Sequence, residues 1–328
     1  MTLLLTRSDV LRMLTFRQVI DAVEQAHTEL ARGGAAQPAP AALRLPGSDS
    51  VYVPMAAASA HARAVGVKLL ADIPTNAGRG LPVQQTTLMI INTETGACEA
   101  LLDGAAVTRY RTAAASAVAS RHLARPDSRV LGLVGAGAQA RAHALALRAV
   151  LPIEQVRIWN RSPERAVALA AELGAEGFGA EAVDDIRKAV SGVDVLCTVT
   201  PSHDPLVRGA WFQPGLHVNA VGAPPRPDHR EIDTDGVLNS RVVVDSYATA
   251  LEKSGDVLLP LHEGAITKEH FRTELGQVIT SAQPGRESLE QITLYNSVGL
   301  GLQDVATARL LIDQAAELGV GTRFDLTL

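Results

Sequence analysis

The stretch Leu131-Gly132-Leu133-Val134-Gly135-Ala136-Gly137-Ala138-Gln139-Ala140 constrains this chain most: a buried strand runs straight into G-x-G-x-x-A and then a helix. Each small residue answers a physical need. Gly135 permits the tight turn, Gly137 lets backbone approach a pyrophosphate, and Ala140 lets helix and strand pack closely. The helix N-terminus, at Ala138 and Gln139, adds amide donors and positive potential. Six letters alone are weak, because a glycine turn in any α/β protein can produce them. Context makes them specific: a helix over 138–150, a second strand over 155–159 and a second helix over 163–173. Valine-rich runs at 193–200, 216–221 and 241–245 then read as strands buried on both faces of a parallel sheet. From about residue 128 the chain is predicted to be a Rossmann-type, doubly wound α/β domain.

The second strand ends at Trp159, and Asn160, Arg161 and Ser162 follow where an NAD site would place Asp or Glu on the ribose hydroxyls. An arginine fork with small polar groups suits the 2′-phosphate of NADP, which a carboxylate would repel. NADPH is therefore expected in preference to NADH. Ser162 and Pro163 also read as N-cap and N1 of the next helix, which is compatible with that role. Thr198 and Thr200 lie at the carboxyl end of the 193–200 strand, and Ala220, Val221 and Gly222 at the end of the 216–221 strand, the sheet edge where open α/β folds bind ligands. They either wall a nicotinamide or are ordinary strand-end turns.

The first hundred residues lack the strand–helix rhythm. A helix is expected over 16–32, stopped by Gly33 and Gly34, then short strands over 50–54, 64–70, 86–92 and 98–102. The last two flank Thr93-Glu94-Thr95-Gly96, which is hairpin chemistry. After Tyr295 the pattern turns helical, and a closing helix is expected to return to this α+β unit. The chain's 328 residues suit two domains at about 150 residues each. Residues 1–115 with 304–328 form the expected substrate and dimerisation domain, and 116–303 the dinucleotide domain.

Composition then excludes several partners. A formal charge of -5 with 3% aromatic residues supplies neither the basic field nor the stacking platforms that nucleic acid needs. Cys98 and Cys197 have no paired spacing, so neither a disulfide framework nor a zinc knuckle is expected, and a reducing, cytoplasmic compartment is. Arg7, Asp9 and Arg12 interrupt the N-terminal leucines, and no apolar run approaches the roughly 18 residues of a membrane span. His61, His122, His143 and His217 lack metal-ligand spacing, and no metal site is expected.

Three cations interrupt apolar or small-residue runs outside the dinucleotide unit: Arg44 in AALRLP, Lys68 in AVGVKLLADIP and Arg111 in TRYRTAAASA. Buried cations are costly when isolated. Either each pairs with a carboxylate of the protein, or together they clamp an anionic substrate. Spacing does not choose between these.

The combination RTAAASA, GAGAQA, VRIWNRSPERA, HVNAVGAPPRPDHREID and LEKSGDVLLP resembles the ornithine cyclodeaminase and mu-crystallin family over essentially the whole chain. The Asn-Arg pair, the Arg-Pro-Asp turn and SGDVLL are nearer to the mu-crystallin branch of NADPH-dependent ketimine reductases than to the cyclodeaminases. The resemblance implies a homodimer, an imino- or amino-acid carboxylate as substrate, and Arg44, Lys68 and Arg111 as carboxylate-binding positions. It also implies that Arg111 and Thr112 reach the cofactor, and that Ser297, with Val298 and Gly299, closes over the nicotinamide. A turn before the last helix explains Ser297 and Gly299 equally well.

Cyclodeaminases carry an aspartate shortly after the strand-end Val-Gly, whereas Gly222 here precedes Ala223-Pro224-Pro225-Arg226-Pro227-Asp228. Asp228 either substitutes for that acid or is a plain turn residue, in a turn one residue longer than that of mu-crystallin; Glu231 matches a structural family acid. The expected reaction is reduction of a cyclic ketimine acid, with Arg44 and Arg111 on the carboxylate and Lys68 donating to the imine nitrogen. The rivals are a cyclodeaminase or alanine-dehydrogenase-like enzyme of the same family, and an NADPH-dependent small-molecule carrier.

Overall fold

The computed structural model describes residues 1–223 and 226–326; Pro224 and Pro225 of the turn after Gly222 lie outside the described residues. The chain divides into two compact units, Met1–Arg111 with Leu300–Leu328, and Thr112–Gly299.

The first unit is built on an eight-stranded mixed sheet. Its strands are β1 (Thr2–Leu5), β2 (Ala35–Ala36), β3 (Leu43–Arg44), β4 (Val51–Ser59), β5 (Ala64–Asp72), β6 (Gln84–Asn92), β7 (Cys98–Asp103) and the C-terminal strand Thr322–Phe324. The order is Thr322–Phe324, β1, β7, β6, β5, β4, β2, with β3 pairing the other end of β4. Two helices precede the sheet's centre. Thr6 caps α1 (Arg7–Met13) in a capping box with Asp9, and Thr15 caps α2 (Phe16–Ala31), whose Val19, Ile20, Val23 and Ala26 are buried. The C-terminal helix Gly301–Leu318 packs on α2, β4 and β5. Gly66 permits that approach, since a Cβ there would sit 2.5 Å from Val305 Cγ2.

Alternation along β4 and β5 follows from the pleat: Val51, Val53, Met55 and Ala57 are buried, as are Ala64, Gly66, Lys68 and Leu70. The opposite face carries an apolar row across five strands, Leu4, Leu101, Met89, Val67 and Ala56, joined in register. Leu4, Leu69 and Met89 on that face are 39%, 46% and 37% exposed.

The second unit is a Rossmann-type α/β fold with seven parallel strands. They are β8 (Val130–Val134), β9 (Gln155–Trp159), β10 (Gly179–Ala182), β11 (Val195–Thr198), β12 (His217–Ala220), β13 (Arg241–Val244) and β14 (Thr293–Asn296), in the order β10-β9-β8-β11-β12-β14-β13. Both faces are covered. Leu131, Leu133, Val195 and Cys197 belong to one apolar cluster, and Val134, Leu196, Val218 and Leu294 to another. Among the described residues, no helix is long and apolar enough to cross a membrane.

Three elements depart from sequence expectation. The segment around RTAAASA is one long helix, α3 (Gly104–Leu123), with Ala113, Ala114, Ala115, Ala117 and Ala119 fully buried; a helix buried all round has no apolar stripe to detect. Thr293–Asn296 is a strand, inserted between β12 and β13, and the helix expected after Tyr295 begins only at Gly301. β4 runs on through its alanines to Ser59 because β5 pairs with it residue for residue.

His27, His143 and His217 are core residues. On α4 (Ala138–Arg148), His143 donates from Nδ1 to the Gln139 carbonyl at 2.8 Å, and its Nε2 accepts from Ser116 Oγ at 3.0 Å. Burial pushes His27 and His143 from 6.5 down to about 4, and His217 to about 3. Depressed folded-state values mean that the unfolded chain takes up these protons first as pH falls. Stability is therefore full above the unfolded value and declines below it, by about 2 kcal/mol per imidazole between about pH 7 and pH 5. Urea unfolding across that window checks this: His143→Gln should lower stability at neutral pH but flatten its acid-side fall.

Candidate active site

The dinucleotide turn has the shape its sequence requires. Gly135 lies at φ 114°, in the left-handed region, and a Cβ there would press within 3.0 Å of the Val199 carbonyl. Its N–H donates to the Trp159 carbonyl at 2.8 Å, tying the turn to the end of β9. Gly137 is the N-cap of α4 and has no side-chain cap, and a Cβ on it would meet nothing within 4 Å. Gly137 and Ala138 are exposed, Gln139 is partly exposed, and Ala140 is buried against the β8–β9 side of the sheet. An open, uncapped helix start beside a backbone that nothing crowds fits a pyrophosphate.

After β9, Asn160 Oδ1 accepts from the Ala136 N–H at 3.2 Å, and its amide donates to the Ser162 carbonyl at 3.0 Å. Asn160 therefore braces the turn. Arg161 is exposed. Ser162 is the N-cap of α5 (Pro163–Ala175) with Pro163 in the first turn, yet its hydroxyl makes no cap hydrogen bond. These groups suit the ribose end of a dinucleotide.

At the carboxyl ends of β11 and β12 a buried carboxylate organises the backbone. Glu231, fully buried, accepts from Thr198 Oγ1 at 2.9 Å, the Thr200 N–H and hydroxyl at 2.6 and 2.7 Å, and the Gly222 N–H at 2.7 Å. Asp256 in turn accepts from the Glu231 and Ile232 N–H groups, both at 3.0 Å. Burial and neighbouring Asp256 raise Glu231 to about 7 against the pull of its donors. The hydroxyls of Thr198 and Thr200 thus face Glu231, while Val221 is held by its N–H on the Thr198 carbonyl at 3.1 Å. Ser297 lies 3.5 Å from Asp245 Oδ2, which accepts the Gly299 N–H at 2.7 Å, and Thr112 is buried on α3. Asp228 is exposed and bonded to His229.

In the first unit, two of the three cations meet on one acid. Lys68 Nζ lies 2.7 Å from Asp304 Oδ2, and Arg111 Nε 3.1 Å from Asp304 Oδ1; all three side chains are almost completely buried. Lys68 also donates to Thr108 Oγ1 at 3.3 Å. Arg111 donates to Gln303 Oε1 at 2.9 Å, and Gln303 in turn contacts His27 at 3.0 Å. Arg44 stands apart on the exposed edge strand β3, and no carboxylate pairs with it among the described residues. Sequence reading missed Asp304, which lies 193 residues from Arg111; the available signal was an acid inside the apolar stripe of the last helix.

Residues 1–319 match the ornithine cyclodeaminase/mu-crystallin family. The chain belongs to this family. A Δ1-pyrroline-2-carboxylate reductase from Bacillus cereus is 38% identical over 265 residues, 80% of this chain and 81% of that protein. The ketimine reductase mu-crystallin of Rattus norvegicus is 36% identical over 259 residues, 79% of each chain. Among solved structures, the Thermococcus litoralis Δ1-pyrroline-2-carboxylate reductase in complex with NADH and L-proline superposes with a TM-score of 0.94. It is 35% identical, covering 98% of this chain and all of that one. For this member of the ornithine cyclodeaminase/mu-crystallin family, Asp304 is expected to be the residue on which the buried cations depend. Asp304→Asn should destabilise the fold by about 3–5 kcal/mol in urea unfolding, because it takes the shared carboxylate from two buried charges.

Proposed function

We propose that this protein reduces cyclic ketimine carboxylates, such as Δ1-pyrroline-2-carboxylate or Δ1-piperideine-2-carboxylate, to L-imino acids, with NADPH preferred over NADH. As a class it is an oxidoreductase of C=N and CH–NH bonds that uses a nicotinamide cofactor. One observation carries the reading: Lys68 and Arg111 converge on the single carboxylate of Asp304, so two buried cations share one acid. Two buried cationic groups held side by side suit an anionic guest, whose carboxylate accepts from both. Similarity to a Δ1-pyrroline-2-carboxylate reductase and to a ketimine reductase supports a cyclic imine as the body attached to that carboxylate.

In this mechanism Arg111, its guanidinium braced by Asp304 and Gln303, orients the substrate carboxylate. A reduced nicotinamide, when bound, supplies the hydride for the imine carbon. Lys68 supplies the proton for the nitrogen, its ammonium held in place by Asp304. Family resemblance adds Arg44 as a further contact to the substrate carboxylate. Gly135, Gly137 and the first turn of α4 would hold the pyrophosphate, and Arg161 with the Ser162 hydroxyl the 2′-phosphate.

The reading includes a homodimer in the cytoplasm. The apolar row on the outer face of the first unit's sheet supports burial against a second copy. Two unpaired thiols, Cys98 and Cys197, suit a reducing compartment.

Nicotinamide absorbance, followed with purified protein and Δ1-pyrroline-2-carboxylate, tests the reaction; NADPH-selective consumption with proline formed is the expected result, and no consumption with either cofactor overturns it. Lys68→Ala should lower turnover by on the order of 10² to 10⁴. Near-normal turnover with a raised KM would restrict Lys68 to binding. Arg161→Ala should raise the KM for NADPH far more than that for NADH, and equal losses would remove the 2′-phosphate assignment.

A further inference from the structure

A second cluster of chemistry-bearing side chains lies on loops that the proposed reaction does not use. His203 sits in the segment after β11, and Asp228 and His229 in the segment after β12. His229 Nδ1 is 2.9 Å from Asp228 Oδ1, and His203 Nε2 is 3.8 Å from Asp228 Oδ2. One ligand atom from each of the three residues falls within 4.8 Å of the others.

We propose that His203, Asp228 and His229 form a binding site for a divalent transition-metal ion of the zinc type. Two imidazoles and one carboxylate are a borderline donor set, suited to Zn²⁺ rather than to Mg²⁺ or Ca²⁺, which take oxygen ligands. Bonds of about 2.0–2.1 Å at tetrahedral angles place ligand atoms roughly 3.4 Å apart. The carboxylate-to-imidazole separations bracket that spacing, so small rotations of His203 and Asp228, both exposed, about half-buried His229 complete the site.

The outer contacts point the same way. Asp204 Oδ1 lies 3.1 Å from His203 Nδ1 and receives that ring's N–H, which turns the Nε2 lone pair toward the Asp228 carboxylate. At 3.8 Å those two acceptors make no hydrogen bond, and a cation between them satisfies both. A carboxylate behind a histidine is the usual support of a metal-bound imidazole.

The backbone beneath is fixed rather than loose. Leu206 and Val207 both donate to the Glu231 carbonyl at 3.0 Å, Arg230 donates to the His203 carbonyl at 3.3 Å, and Asp233 donates to the Val207 carbonyl at 3.0 Å. The two loops are thus stitched together below the three ligands. An ion at the top would cross-link the segment that carries Thr200 to the one that carries Gly222.

Titration of the untagged, full-length protein with Zn²⁺ against a chromophoric chelator tests the site. One Zn²⁺ per chain is expected, with affinity falling at least about tenfold in His203→Ala and in His229→Ala, and by about tenfold in Asp204→Asn, whose residue only orients the ring. Melting curves in chelator establish that each variant is folded. The absence of Zn²⁺ binding, or binding that survives in the folded His203→Ala/His229→Ala double variant, overturns the proposal.

Discussion

Burying Lys68 in the middle of β5 is the constraint around which the first unit is arranged. The pleat aims this side chain at the inner face, where its neighbours in alternation are Gly66 and Leu70, and an ammonium there needs a counter-charge. Asp304 provides it from the first turn of the C-terminal helix, a position that the helix dipole also favours for an acid. That acid reaches the sheet because the helix approaches closely, and Gly66 makes room for Val305 in that approach. Strand register, helix placement and a missing side chain therefore serve one ion pair. Arg111 then joins the same carboxylate, so that two cations lean on one acid.

Glu231 organises the second unit by the opposite electrostatic logic. Asp304 gathers cations, whereas Glu231 gathers neutral donors: two threonine hydroxyls and the backbone N–H groups of Thr200 and Gly222. Those donors come from the carboxyl ends of β11 and β12, so one side chain sets the sheet edge at which open α/β folds generally bind ligands. Burial without a cation raises its pKa, and Asp256 behind it adds to the rise while anchoring its backbone. Exposed His203 and Asp228 and half-buried His229 lie on the same two loops, and Glu231 ties both loops to the strands beneath.

Much of this was legible in the residues. The glycine turn, the strand–helix rhythm and the valine-rich runs identify a dinucleotide fold because each is a local requirement, met by residues adjacent in the chain. The family resemblance rests on motifs that survive in order along the whole length. Long-range relations were not legible. α3 has no apolar stripe because its alanines are buried all round, and β14 is a strand because β12 and β13 flank it.

The charged residues divide along the same line. Sequence by itself determined that Lys68 and Arg111 interrupt runs that must be buried, and so posed the choice between a protein carboxylate and an anionic ligand. Only the tertiary structure decided that one aspartate, far along the chain, meets both cations, while Arg44 stays on an exposed edge. Local conformation follows from steric and hydrogen-bonding rules that act over a few residues. Charge pairing depends on distance in space, and that distance exists only after sheet register and helix packing have been fixed.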